Sequence, residues 1–180
     1  MDIQEEKNIL RRNCLKIRKK HNLKFISHKI VNNIKNIHYF KDAQNIMIYM
    51  PLKYEIDITS LLNISDKNFY LPKCVKDEIK VVRYEKNMHL VKSNFNVLEP
   101  ISNDYIDISI LDIVFIPALC CDLNKYRLGY GCGFYDRFLK KLNKNTLKII
   151  ISSKEMCYYK IPVTNFDEKA DFIINEESIL

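Results

Sequence analysis

The chain has 180 residues, 47% of them hydrophobic and 28% charged, with a net charge of +7. That length supports one well-buried domain over residues 1–180 and is too short for two large ones. No run approaches the roughly 18 apolar residues of a membrane span, and the charged N-terminus has no apolar signal core, so neither a membrane partner nor a secretory leader is expected. The six cysteines include no C-x-x-C pair and the four histidines are scattered, which excludes a zinc pattern and points to a cytoplasmic chain with reduced thiols. The basic balance suits an anionic partner. The Lys-, Asn- and Ile-rich composition, without tryptophan, limits how much that charge can be made to say.

Residues 3–20 have the pattern of a basic amphipathic helix with Ile3, Leu10, Cys14 and Ile17 on one face. No acidic residue occurs from Lys7 to Lys41. Most of these cations are expected on a solvated face, but Lys7 and Arg11 are i, i+4 neighbours and can clamp a phosphate chain together. A second helix is expected from about Ser27, as N-cap, to about Ile37.

Asn45–Met50 is expected as a buried strand stopped by Pro51. Glu55 and Asp57 then fall just past its C-terminal end, where open α/β sheets bind ligands. Asp57 also suits the cap of a short helix at residues 58–62; for Glu55 the two roles stay open. Residues 68–72 and 79–84 are expected as strands, 94–100 as loop, and 113–116 as a core strand. Residues 146–151 and the end of 166–174 complete the strands. Apolar strands alternating with helices predict an α/β fold with a largely parallel sheet.

All three glycines of the chain lie within five residues: Gly129, Gly131 and Gly133. An apolar strand precedes them, and Phe134, Phe138, Leu139 and Leu142 follow at helical spacing. Clustered glycine marks a constrained backbone, either a tight turn or a cradle of N–H groups for phosphate. The spacing is neither that of a dinucleotide fingerprint nor that of a P-loop. Arg127 and Asp136 frame the turn. A carboxylate beside a phosphate makes sense with Mg²⁺ between them. Cys132 is placed either as a small filler or as a nucleophile; no histidine is close in sequence.

From Arg127 to Arg137 the chain is Arg-Leu-Gly-Tyr-Gly-Cys-Gly-Phe-Tyr-Asp-Arg. This run resembles the signature of the 5-formyltetrahydrofolate cyclo-ligase family, also called methenyltetrahydrofolate synthetases. Lys7 to Arg11, Pro51 to Asp57, and the pair Asp167 and Asp171 resemble further family segments in the same order. The resemblance implies a three-layer α/β sandwich, Rossmann-like and NagB/RpiA/CoA-transferase-like. It implies ATP binding by Lys7, Asn8, Ile9, Leu10, Arg11, Arg127, Leu128, Gly129, Tyr130, Gly131, Cys132, Gly133, Phe134 and Tyr135. Folate contacts would come from Met50, Glu55 and Tyr130 to Phe134, Mg²⁺ ligands from Asp136 and Asp171, and catalytic roles from Arg127, Tyr135 and Asp136. Cys132 stands where the family often has Lys or Gly, and Phe134 replaces a frequent tyrosine. The implied reaction is Mg²⁺- and ATP-driven cyclisation of 5-formyltetrahydrofolate to 5,10-methenyltetrahydrofolate by a monomer, through an iminium phosphate, releasing ADP and phosphate. Two alternatives stay open: a basic nucleic-acid-binding protein, and another phosphate-handling α/β enzyme such as a sugar-phosphate isomerase.

Overall fold

The computed structural model describes residues 2–180. Helix α1 (Ile3–Arg18) is followed by α2 (Leu23–Asn36), a short α3 (His38–Asp42) and strand β1 (Asn45–Met47). Strands β2 (Asn68–Val75) and β3 (Glu78–Arg83) form a hairpin, as do β4 (Leu90–Lys92) and β5 (Leu98–Pro100). Then come β6 (Ile113–Pro117), β7 (Cys120–Asp122), β8 (Arg127–Leu128), α4 (Phe134–Leu139), β9 (Leu147–Ile151), β10 (Cys157–Tyr158) and β11 (Phe172–Ile174).

The main sheet has the order β11-β9-β6-β1-β2-β3. Its first five strands are parallel and only β3 is antiparallel, so the expected α/β fold with a largely parallel sheet is observed. Successive residues point to opposite faces of a strand, and both faces here are covered. Ile113, Phe115, Ile149 and Ile151 join one core with Ile30 and Ile34 of α2. Val114, Ile116 and Ile150 join the other with Phe138 and Leu139 of α4. Burial on both sides explains why these strands are continuous apolar runs.

A small second sheet, β10-β7-β8, packs its Cys120 and Leu128 with Leu119, Met156 and Cys14 of α1. Its β7–β8 hairpin turns through Lys125, whose φ is 69°, and delivers the chain from Leu128 straight into the glycine turn.

Three local expectations are corrected. Helix α2 begins at Leu23, capped by Asn22, whose side chain accepts from the Phe25 N–H at 3.2 Å. Ser27 is buried inside that helix, and its hydroxyl accepts the Asp57 N–H at 2.9 Å. The expected loop at 94–100 is partly strand, because Leu98–Pro100 pairs with Leu90–Lys92. Asp57 accepts from the Thr59 N–H at 2.8 Å, but the helix that follows is a 3₁₀ turn at Thr59–Asn63 whose N-cap position is Ile58.

Candidate active site

Strand β1 is central; β2 lies on one side of it and β6 on the other. The crevice beyond the C-terminal ends of β1 and β6 is therefore the topological switch point of the sheet. A cleft of about 800 Å³ occupies it, lined by Tyr49 and Met50 after β1, Pro117 at the end of β6, and the whole glycine turn.

The turn holds Gly131 at φ 105° and Gly133 at φ 69°, both in the left-handed region where side chains are strained. Backbone N–H groups from Gly129 to Asp136 have no partner among the described residues. Cations close around them. Arg11 donates from Nε to the Gly129 carbonyl at 2.9 Å and from Nη1 to Asn8 at 2.6 Å. A Cβ at Gly131 would stand 3.1 Å from the Arg11 guanidinium carbon, so the glycine is what lets that side chain lie against the turn. Arg127, only 7% exposed, stacks on the Tyr135 ring and donates from Nη2 to Asp136 at 3.2 Å. The Arg127 Nε and the Tyr135 hydroxyl are buried with no partner among the described residues. Burial, with the charge of Glu55 adding to it, pushes the Tyr135 phenol far up, so it stays a neutral donor.

Also lining the cleft, Asp167 accepts from Lys7 Nζ at 2.5 Å, from the Thr164 N–H at 2.5 Å and from the Thr164 hydroxyl at 3.0 Å, all on Oδ2. Burial alone would raise its pKa; these hydrogen bonds outweigh it and hold the carboxyl below the usual range. The next residue, Glu168, brings its N–H to 3.5 Å from Asp136 Oδ1, so the Asp167 loop and the start of α4 adjoin. Asp136 Oδ2 and Asp167 Oδ1 accept no hydrogen bond among the described residues.

The rest of the wall is apolar: Leu52, Pro72, Ile79, Phe95, Val97 and Phe134 line it with Met50, and Phe95 meets Phe134 edge-on at 5.2 Å. Glu55 sits in it, buried, its Oε2 accepting the Leu52 N–H at 2.8 Å. Burial raises the Glu55 pKa against the opposing effects of that hydrogen bond and of Arg18. Glu55 therefore caps no helix; it fastens its own loop and lines the cleft.

A family model described as the 5-formyltetrahydrofolate cyclo-ligase family matches residues 3–176. The chain belongs to that family. It is 29% identical over 136 residues to the 5-formyltetrahydrofolate cyclo-ligase of Haemophilus influenzae, covering 71% of this chain and 73% of that one. It is 25% identical over 164 residues to a probable 5-formyltetrahydrofolate cyclo-ligase of Schizosaccharomyces pombe, covering 78% and 79%. Its fold is similar to that of the 5,10-methenyltetrahydrofolate synthetase of Aquifex aeolicus, with a TM-score of 0.85 at 28% identity over 96% of this chain and 91% of that one. The Mycoplasma pneumoniae 5,10-methenyltetrahydrofolate synthetase gives a TM-score of 0.77 at 25% identity over 96% and 99%.

In this cyclo-ligase fold the cleft gathers Lys7, Arg11, Met50, Glu55 and every residue from Arg127 to Asp136. Asn8, Ile9 and Leu10 do not line it. Asn8 holds Arg11 from an exposed position, and Leu10 packs against the core beneath α1. Asp171 is also elsewhere. Its Oδ2 accepts the Lys148 N–H at 2.8 Å, a structural task at the start of β11. Asp167, four residues earlier on the loop, is the carboxylate that enters the cleft. Thr164, Phe166, Phe95 and Glu99 were not foreseen either. The Thr164-x-x-Asp167 spacing, a turn closed by side-chain hydrogen bonds, was the available signal for the first of them. Cys132 is exposed, and the cleft lining contains no histidine. Three cations of the acid-free stretch turn inward: Lys7 to Asp167, Arg11 to Gly129, and Arg18 to the Ala118 carbonyl at 2.7 Å.

Proposed function

We propose that the chain catalyses the ATP- and Mg²⁺-dependent cyclisation of 5-formyltetrahydrofolate to 5,10-methenyltetrahydrofolate, with release of ADP and phosphate. The observation that carries this reading is one cleft with two kinds of wall. Bare turn amides, Lys7, Arg11 and Arg127 suit a triphosphate on one side; an apolar wall with buried carboxylates suits a folate ring on the other. Every wall comes from one chain, which supports a monomer. The six free cysteines fit the cytoplasm. No helix among the described residues is long and apolar enough to cross a membrane.

The formyl oxygen is a poor leaving group until it is phosphorylated. Transfer of the terminal phosphoryl group to it, with ADP leaving, gives an iminium phosphate. N10 then attacks the one-carbon unit and phosphate departs. The protein's share is positioning and neutralisation of charge on the moving phosphoryl group. Arg127 and the turn amides are placed for the phosphoryl oxygens. The neutral Tyr135 hydroxyl is a buried donor beside them. The apolar wall excludes water that would otherwise take the phosphoryl group.

Among the described residues no cluster of three or more His, Cys, Asp or Glu is assembled for a metal. The donor set is instead Asp136 and Asp167, each with one oxygen free of protein partners, which fits an Mg²⁺ held chiefly by nucleotide phosphates and water. Such an ion would supply charge neutralisation across the phosphates. Asp167→Asn is expected to raise the Mg²⁺ concentration needed for half-maximal rate by roughly tenfold or more. Asp171→Asn should leave that concentration unchanged and lower thermal stability instead. Mg²⁺ titrations of the two variants check this; the reverse pattern would return the metal role to Asp171.

The purified protein should convert 5-formyltetrahydrofolate, with ATP and Mg²⁺, into a product with methenyl absorbance in the near ultraviolet. The rate should vanish without ATP. A folded, folate-binding protein that gives no such product would sink this reading.

A further inference from the structure

We propose that Glu99 is a specificity-determining residue of the cleft, its carboxylate accepting hydrogen bonds from the 2-amino and N3–H groups on the aminopyrimidinone edge of the folate. This rests on the function proposed above and names the part of the substrate that the apolar wall reads.

Glu99 lies in β5 and is 6% exposed, yet it lines the cleft. It takes part in no salt bridge and accepts no hydrogen bond from a nitrogen or oxygen donor among the described residues. Its neighbour is the Cys74 thiol, which burial first, and then the Glu99 charge and a weak thiol hydrogen bond to Glu99, push up to about 12. A carboxylate has acceptor capacity for several donors, and a single thiol is a weak one. A ligand seated here gains by bringing N–H or O–H donors. A phosphate does not fit, because Glu99 is itself acidic and no cation pairs with it among the described residues.

The ring edge of the folate offers two adjacent N–H donors, the arrangement that pairs with both oxygens of one carboxylate. Phe95 and Phe134, in edge-on contact, supply a flat apolar wall. The chain just beyond the Glu99 strand is anchored. Lys73 Nζ ties down the segment after β5, donating to the Ile101 carbonyl at 2.8 Å, the Ser102 carbonyl at 3.0 Å and Asn103 at 2.9 Å. Glu55 is placed differently, since one of its oxygens is already taken by the Leu52 N–H.

The test compares wild type, Glu99→Gln and Glu99→Asp with 5-formyltetrahydrofolate and its 2-desamino analogue. Ligand binding is measured without ATP, alongside steady-state kinetics. Wild type should bind the analogue roughly 10- to 100-fold more weakly than the parent. Glu99→Gln should lose about the same factor for the parent, discriminate little between the two ligands, and keep KM for ATP within about twofold. Glu99→Asp should fall between. Equal wild-type affinity for parent and analogue would overturn the proposal, even if the variants failed to fold. So would Glu99→Gln retaining wild-type discrimination. Folate binding that depends on Glu99 in a protein with no ATP-dependent turnover would uphold this assignment and defeat the proposed reaction, so the two failures are distinguishable.

Discussion

Replacing Arg127 with methionine is expected to lower kcat by about 10²- to 10³-fold while the protein stays folded. Methionine keeps an apolar stem on the Tyr135 ring and removes the guanidinium. The buried position makes that charge effective, since little water screens it. Its Nε has no protein partner among the described residues and Nη2 reaches Asp136 at 3.2 Å. The fork is thus only partly used by the protein. A group in this position gains most from charge that grows during phosphoryl transfer, so the loss should fall on kcat more than on KM for ATP. Steady-state kinetics with a thermal melt of the same preparation check this. A variant with normal kcat and raised KM would make Arg127 a ground-state anchor only.

Gly131→Ala is expected to lower kcat/KM for ATP by roughly 10- to 100-fold, because the backbone strain and the displaced arginine act together. At φ 105° an L side chain is strained whatever space surrounds it. The added carbon would also sit 3.1 Å from the Arg11 guanidinium carbon and 3.2 Å from its Nη2. Arg11 is the residue most exposed to this push, and its 2.9 Å hydrogen bond to Gly129 would be disturbed. Arg11→Ala therefore serves as the diagnostic background. Once Arg11 is shortened, Gly131→Ala should cost clearly less, since neighbours that share one interaction are not additive. Equal losses in both backgrounds would place the whole effect in backbone strain.

The parts that could be read in advance share a physical cause. Strands β1, β6 and β9 are buried on both faces, which forces continuous apolar runs that stand out in any chain. The glycine turn was legible because Gly131 and Gly133 occupy backbone conformations that few other residues tolerate. Strands β7, β8 and β10 span two or three residues each, too short to show a period. Strand β5 was hidden for a different reason: Leu98-Glu99-Pro100 carries a charge and a proline, and only its pairing with β4 and its seat on β2 make it strand. The expected metal ligand was Asp171, whereas Asp167 is the carboxylate that enters the cleft, because sequence order cannot say which of two carboxylates on one segment is spent on a backbone N–H. The α2 cap moved from Ser27 to Asn22 for a similar reason, since the Ser27 hydroxyl serves a residue on another loop.

The Lys7–Asp167 contact ties the beginning of the chain to a segment near its end across the mouth of the cleft. The Arg127–Asp136 pair repeats the arrangement on the adjoining start of α4. Each pair couples a cation suited to phosphate with a carboxylate suited to a metal. A triphosphate that draws Lys7 away on its own leaves Asp167 uncompensated, and a divalent ion that draws Asp167 away does the same to Lys7. Bound together, the two ligands let each member of the pair trade one counter-charge for another. Under the proposed function, nucleotide and metal are therefore expected to be mutually dependent ligands, each raising the affinity for the other by the same factor.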